Sequence, residues 1–365
     1  MSAAGQAEHQ REDVRLEWIR DESRLQSLRK DWRALNRDPF TSPEWLLSWW
    51  GAFADGRQLC TGAAWRDDEL VGLIPMAQRG SQLESLTNVH TPYYDVIVSD
   101  PAARAQALCA LLEMDHRCIV LDALPRDSPT LSWLQAHHRG RLLVQRRRHV
   151  SPFVDTSVDV DAFRAATRSR WGAPLDRFRR KMVREQKASF HLIEQPDDLE
   201  SVLDQGFAVE ASGWKGQAGT AVLSDSVTTG FYRGVAREFA AQGQLALSWV
   251  SFGDQIVAFD LDLLLGGRLY LLKTGFDERF RRLAPGLVLR LAVIERCIEL
   301  GLSRHELLGG DSEWKRKFAQ DARAHSEVRM YRPGPRGAAS WTYRRLVRPG
   351  LRSAYQNLGR RPGPT

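Results

Sequence analysis

Arg281 and Arg282 open a short segment, Leu283-Ala284-Pro285-Gly286-Leu287, that leads from a strand-like stretch into a long amphipathic one. Two guanidinium groups beside a glycine-containing turn at a helix start are suited to holding phosphate. The first N–H groups of a helix have no internal acceptor, and the helix dipole favours an anion next to them. Lys273 stands on the preceding strand, with Leu269 and Leu271 on its own face. It either reaches the same anion or snorkels along that apolar face. These residues predict a phosphorylated cofactor or substrate.

The elements that must position the loop are legible around it. Residues 245–251, 255–263 and 269–274 read as strands joined by turns at Gly253-Asp254 and Gly266-Gly267, an antiparallel meander. Residues 287–300 read as a helix, with Leu287, Leu291, Ile294 and Ile298 on one face and Arg290 and Glu299 among the polar positions around it. Gly301 suits the C-terminal cap, and residues 304–308 read as a further strand.

The first half follows the same order. Strands are expected at 59–65, 70–77 and 94–98, then a helix over 102–113 opened by Asp100-Pro101, then a strand at 118–121. Trp65-Arg-Asp-Asp-Glu-Leu-Val-Gly-Leu-Ile74 parallels Ser251-Phe-Gly-Asp-Gln-Ile-Val-Ala-Phe-Asp260. The pattern predicts two α/β domains of one type, each β-β-β-α-β, joined near residues 151–161. The expected division is a loose tail over 1–14, domains over 15–155 and 156–332, and a basic extension over 333–365. In the first domain Asp100 places an acid where phosphate would sit, so the cofactor half of a single site belongs to the second.

Composition narrows the function classes. The net charge is +7, but residues 333–365 hold seven arginines and no acid; without them 45 basic residues face 45 acidic ones. The body is therefore neutral, which points away from a general nucleic-acid groove and toward a solvated or acid-binding tail. Cys60, Cys109, Cys118 and Cys297 form no C-x-x-C pair, so neither a metal site nor a disulfide framework is expected. No apolar run approaches the roughly 18 residues of a membrane span, and residues 1–15 lack a signal-peptide core. A cytoplasmic protein is expected.

Several short motifs fall in an order that carries a resemblance. They are Thr41-Ser-Pro-Glu-Trp45, Leu70-Val-Gly-Leu-Ile-Pro75, Tyr94-Asp95, Ser212-Gly-Trp-Lys-Gly216, Ile256-Val-Ala-Phe259, Lys273-Thr-Gly-Phe-Asp277, Ala284-Pro-Gly286, and Gly309-Gly-Asp311 with Trp314-Lys315. Together they span about 32–332. The chain resembles the GNAT acyltransferases, and within them the double-GNAT proteins of the CelD-like, cellulose-biosynthesis type, relatives of the Fem peptidyltransferases. The resemblance implies two tandem GNAT-like domains, each a mostly antiparallel mixed sheet flanked by helices. It implies transfer of an acyl group, usually acetyl from acetyl-CoA, to an amine or hydroxyl of a small-molecule, sugar or polysaccharide-precursor acceptor. In GNAT enzymes an R/Q-x-x-G-x-G/A loop cradles the CoA pyrophosphate; Arg281 to Gly286 matches it with Ala284 at the middle glycine, and Pro285 lacks an N–H.

Direct transfer needs a polarised carbonyl, a base and support for a leaving thiolate. No Ser-His-Asp or Cys-His order suggests a covalent intermediate. Lys315 in Trp314-Lys-Arg-Lys-Phe318 matches the charge-stabilising lysine of F-K-x-x-F in Fem proteins. Asp311 is the candidate base or an orienter of Lys315, or else a helix cap. Asp260 is a second candidate base, or lies on the solvent face of its sheet. Trp214 and Lys215 suit an acceptor-binding loop or a core anchor, and Tyr94 and Asp95 an acceptor cleft or packing. The cations from Arg168 to Lys187 suit a phosphorylated acceptor, a CoA phosphate or tRNA, or a solvated face. Two other readings stay open: a Fem-like transferase using aminoacyl-tRNA, and a non-catalytic degenerate GNAT subunit.

Overall fold

The computed structural model describes residues 14–171, 174–213, 216, 219 and 221–347. The chain divides into two compact units. One holds Met1–Asn36, Asp55–Arg147 and Ser326–Thr365; the other holds Arg37–Ala54 and Arg148–His325.

In the first unit β1 (Arg15–Ile19), β3 (Thr61–Arg66), β4 (Glu69–Ile74) and β7 (Ile97–Val98) form an antiparallel sheet in the order β1-β3-β4-β7. β2 (Gln58–Leu59), β5 (Met76–Arg79) and β6 (Gln82–Ser85) pair antiparallel in that order, and β6 runs parallel to β8 (Cys118–Pro125). The single strand expected over 70–77 is broken at Pro75, which has no N–H for a ladder. The Pro101–Glu113 helix is capped by Asp100, whose carboxylate accepts from the Ala103 amide at 2.8 Å. That hydrogen bond, with Ser99 and Arg66 also helping, lowers the Asp100 pKa to about 2. An acid thus occupies the helix start that would otherwise attract an anion. Ala103, Ala107, Leu108 and Leu111 of this helix pack with Val71, Ile74 and Leu121 in the unit's core.

The second unit is built on β10 (Ala188–Glu194), β11 (Leu245–Phe252), β12 (Gln255–Leu265) and β13 (Arg268–Phe276), paired antiparallel in sequence. β13 then runs parallel to β14 (Arg304–Glu306), which pairs antiparallel with the end of β9 (Leu142–Asp155). The β13–β14 ladder stops at Tyr270↔Glu306, while β13 continues to Phe276. The Pro285–Glu299 helix makes the crossover and buries Val288, Leu289, Leu291, Val293 and Ile294. The opposite side of β12 and β13 carries the Leu199–Ser212 helix, where Gly206 is required: a Cβ there would lie 2.6 Å from Phe259.

The units depart from the expected division: residues 148–155 group with the second unit and 326–332 with the first. Arg37–Ala54 groups with the second unit, because Trp45 meets Phe231 edge-on at 5.1 Å and Phe40 meets Tyr270 at 5.8 Å. The start of the basic extension is folded. The Pro335–Thr342 helix packs Trp341 with Cys118, Val144 and Tyr331, and the indole donates to the Leu143 carbonyl at 3.2 Å. Residues 348–365 and the tail over 1–13 lie outside the described residues.

Candidate active site

Residues 281–287, expected to hold phosphate, lie beyond the end of β13. Glu278–Leu283 form a 3-10 turn, and Ala284 adopts a left-handed conformation (φ 48°, ψ 49°) that turns the chain into the helix begun by Pro285. Arg281 and Arg282 are exposed on this turn. The amides around them are mostly spent: Ala284 donates to the Arg281 carbonyl, and Leu287 and Val288 both donate to the Ala284 carbonyl. Since Pro285 has no N–H, Gly286 supplies the helix-start donor available to an anion. Gly286 also lets the helix approach β13, because a Cβ there would lie 3.3 Å from Phe276.

Lys273 and Gly275 face one side of β13. Gly275 lies against the Leu199–Ser212 helix, where a Cβ would stand 2.5 Å from the Glu210 Cα. Glu210 is buried and accepts from the Val222 amide at 2.8 Å. The Lys273 ammonium sits 4.4 Å from the centre of the buried Tyr232 ring. This is a cation–π contact with the Ser226–Ala240 helix. Burial pushes the Tyr232 phenol far above its ordinary range, with the Glu210 charge adding to the shift.

The other side of β13 and β12 carries a buried ionic cluster that the sequence reading only touched. Asp260, opposite Thr274 in the register, is not on a solvent face: it and Arg290 are each 1% exposed, with Nη2 to Oδ1 at 2.7 Å. Arg290, expected among polar positions around its helix, points inward. It donates from Nη1 to His305 Nε2 at 3.1 Å, and its guanidinium lies 6.0 Å from the Trp314 ring. Asp262 Oδ1 is 3.6 Å from the same His305 nitrogen. Desolvation raises the Asp260 pKa to about 6 against the pull of Arg290, and raises the Asp262 pKa to about 7. Desolvation also drives His305 well below its usual value, with Arg290 adding to the effect. Asp262, Arg290 and His305 were missed as a set. The signal was present in two acids two residues apart on an apolar strand, with a lone arginine inside the next helix.

Lys315 lies where the chain leaves β14. Its Nζ donates to the Leu308 carbonyl, and to the Gly310 carbonyl at 3.2 Å. Leu308 (φ 46°) and Gly309 (φ 56°) are both left-handed, so the lysine straps an unusual turn. Asp311 does not orient Lys315. It grips Arg316, with Nε contacts of 2.8 and 2.9 Å and an Nη2 contact of 2.8 Å. That pairing holds its carboxyl below the ordinary range, the opposite of what a general base needs. Nor is it the cap of the following helix, a position held by Ser312.

Tyr94 is buried in the core of the first unit, and its hydroxyl meets the Met76 sulfur at 3.6 Å, so it is a packing residue there. Burial pushes up the pKa of its neighbour Asp95, opposed by hydrogen bonds from Ser128 and Thr130. Trp214 and Lys215 lie outside the described residues. No group of three or more His, Cys, Asp or Glu side chains suited to a metal occurs among the described residues. Among those residues, no helix is long and apolar enough to cross a membrane.

The second unit thus combines a four-strand meander, a parallel partner that stops short, and a crossover helix entered through an arginine-rich turn. Residues 169–316 match the Acetyltransferase (GNAT) domain family. The matched segment contains the 281–287 turn, the Asp260–Arg290 cluster and Lys315. No curated protein matches the sequence. Solved structures similar to the chain include FemX, at 12% identity over 87% of this chain and 97% of that one, with a TM-score of 0.55. L-PGS from Bacillus licheniformis is 13% identical over 89% and 95%, with a TM-score of 0.56. The C-terminal DUF2156 domain of a putative lysylphosphatidylglycerol synthetase from Agrobacterium fabrum is 11% identical over 88% and 95%, with a TM-score of 0.53. These likenesses concern the fold, which is α/β with mixed, mostly antiparallel sheets flanked by helices.

Proposed function

We propose that the chain is an acyltransferase. It moves an acyl group, acetyl in the simplest case, from an acyl-CoA to an amine or hydroxyl of a small-molecule, sugar or polysaccharide-precursor acceptor, as in the CelD-like proteins. The observation that carries this reading is the notch where β13 outruns β14, with the Arg281–Leu287 turn at the end of the longer strand. In this reading Arg281, Arg282 and the Gly286 amide hold the donor phosphates, and the left-handed Ala284 aims the helix start at them. The bound thioester supplies the activated carbonyl. The Lys315 ammonium stabilises negative charge that develops on the carbonyl oxygen or the departing sulfur. Asp260 acts through Arg290, whose guanidinium lies under Trp314, the neighbour of Lys315. It is therefore a positioning residue, and the proton of the acceptor passes to solvent or to the thiolate.

Calorimetric titration with acetyl-CoA and CoA tests the reading. Micromolar binding that Arg281→Ala/Arg282→Ala loses by about tenfold or more supports it. Absence of binding to the wild-type protein refutes it.

A further inference from the structure

The Pro174–Gln186 helix is amphipathic in an unusual way. Leu175 and Met182 are buried and Phe178 packs beside them, in a cluster shared with Leu283 and Leu287 of the phosphate turn. Arg179, also on the inner side, is consumed by Glu295 at 2.8 Å. The outer side presents Arg177, Arg180, Lys181 and Arg184, spaced i, i+3, i+4, i+7, and Lys187 continues the row. All five are exposed, and the half-exposed Val183 sits among them. Glu185 alone offsets them on this helix's outer side, touching Lys181 at 3.6 Å and Arg184 at 2.7 Å. The cationic row thus stands on a helix that packs directly against the Arg281–Arg282 turn.

Resting on the acyl-transfer reading, we propose that this face docks an acidic carrier protein that presents the acyl group as a phosphopantetheine thioester. Two features favour that occupant. The turn that takes the donor phosphate in that reading packs against this helix, so the cationic face flanks the place where a phosphopantetheine arm would enter. The outer face combines five cations with an exposed valine, which matches an acidic helix with an apolar contact. A nucleic acid fits less well. It would want about 6–10 phosphate contacts and aromatic stacking, and Phe178 points inward. Transfer from the carrier balances as it does from CoA. The thioester C–S bond breaks, the acceptor N–C or O–C bond forms, and the acceptor proton offsets the released thiolate.

The test is binding of phosphopantetheine-loaded acyl carrier protein, its unloaded form, CoA and an RNA oligonucleotide, to wild-type protein and to an Arg180→Glu/Arg184→Glu variant checked for folding by circular dichroism. The expected result is loaded-carrier binding that falls about tenfold or more in the variant and with added salt, while CoA binding stays within about twofold. The unloaded carrier should bind more weakly than the loaded one. Equal carrier binding by both proteins overturns the proposal, as does RNA binding that alone responds to the charge reversal. Intact CoA binding in those cases leaves the acyl-transfer reading standing; loss of CoA binding by the wild type refutes that reading itself.

Discussion

Asp262→Asn should stabilise the protein at neutral pH, although it removes a charged group from a cluster of charges. His305 Nε2 accepts a hydrogen bond from Arg290, so the imidazole carries its proton on Nδ1, and the unprotonated nitrogen faces Asp262 at 3.6 Å. A protonated carboxyl is at ease beside that nitrogen; a carboxylate is not. Desolvation agrees, raising the Asp262 pKa from 3.8 to about 7. Between about pH 4 and 7 the unfolded chain has released this proton while the folded protein holds it. Raising the pH through that window therefore costs stability, about 1.4 kcal/mol per unit, or about 4 kcal/mol across it. The contribution is complete below about pH 4 and gone above about pH 7. Denaturant midpoints of wild type and Asp262→Asn should coincide in acid and separate as the pH rises, with the variant more stable at pH 8. Asp260→Asn differs in degree, because it also removes the carboxylate 2.7 Å from Arg290, whose pull opposes the desolvation that raises Asp260 to about 6; its gain at pH 8 should be smaller than that of Asp262→Asn, with Arg290 still held by His305. Parallel pH profiles for wild type and Asp262→Asn would refute the assignment of the stored proton.

Three further substitutions probe the site. Lys315→Met removes charged hydrogen bonds to the Leu308 and Gly310 carbonyls; it should cost about 1–3 kcal/mol in a thermal melt and, under the proposed function, about 100- to 1,000-fold in transfer rate with donor affinity little changed. Gly275→Ala drives a methyl to 2.5 Å from the Glu210 Cα, so denaturation should show a loss of about 1–3 kcal/mol or more. Glu295→Ala leaves Arg164 and Arg179 without the carboxylate each touches, at 2.7 and 2.8 Å; because both arginines are over a third exposed, the loss should be only about 1–2 kcal/mol, and hydrogen exchange should show faster opening of the Pro174–Gln186 helix.

What the sequence disclosed and what it withheld divide along physical lines. Periodicity and turn chemistry are local, so the meander of β11, β12 and β13, the crossover helix and the helix after Asp100-Pro101 were legible to within a few residues. The Arg281–Gly286 turn was legible for the same reason, since a helix start and its flanking cations lie within seven residues. The fate of a charge is not local. Arg290 and Asp260 are thirty residues apart, and an arginine among leucines reads as a helix's polar edge until the sheet that covers it is known. Asp311 and Lys315 show the converse. Their spacing allows them to pair, but Arg316 offers two guanidinium nitrogens to the carboxylate, while Lys315 turns back to the Leu308 and Gly310 carbonyls. Arg37–Ala54 was assigned by its position in the chain, yet the aromatic contacts of Trp45 and Phe40 decide its unit. The 281–287 turn is therefore a property of sequence, whereas the buried Asp260–Arg290–His305 cluster is a property of the fold.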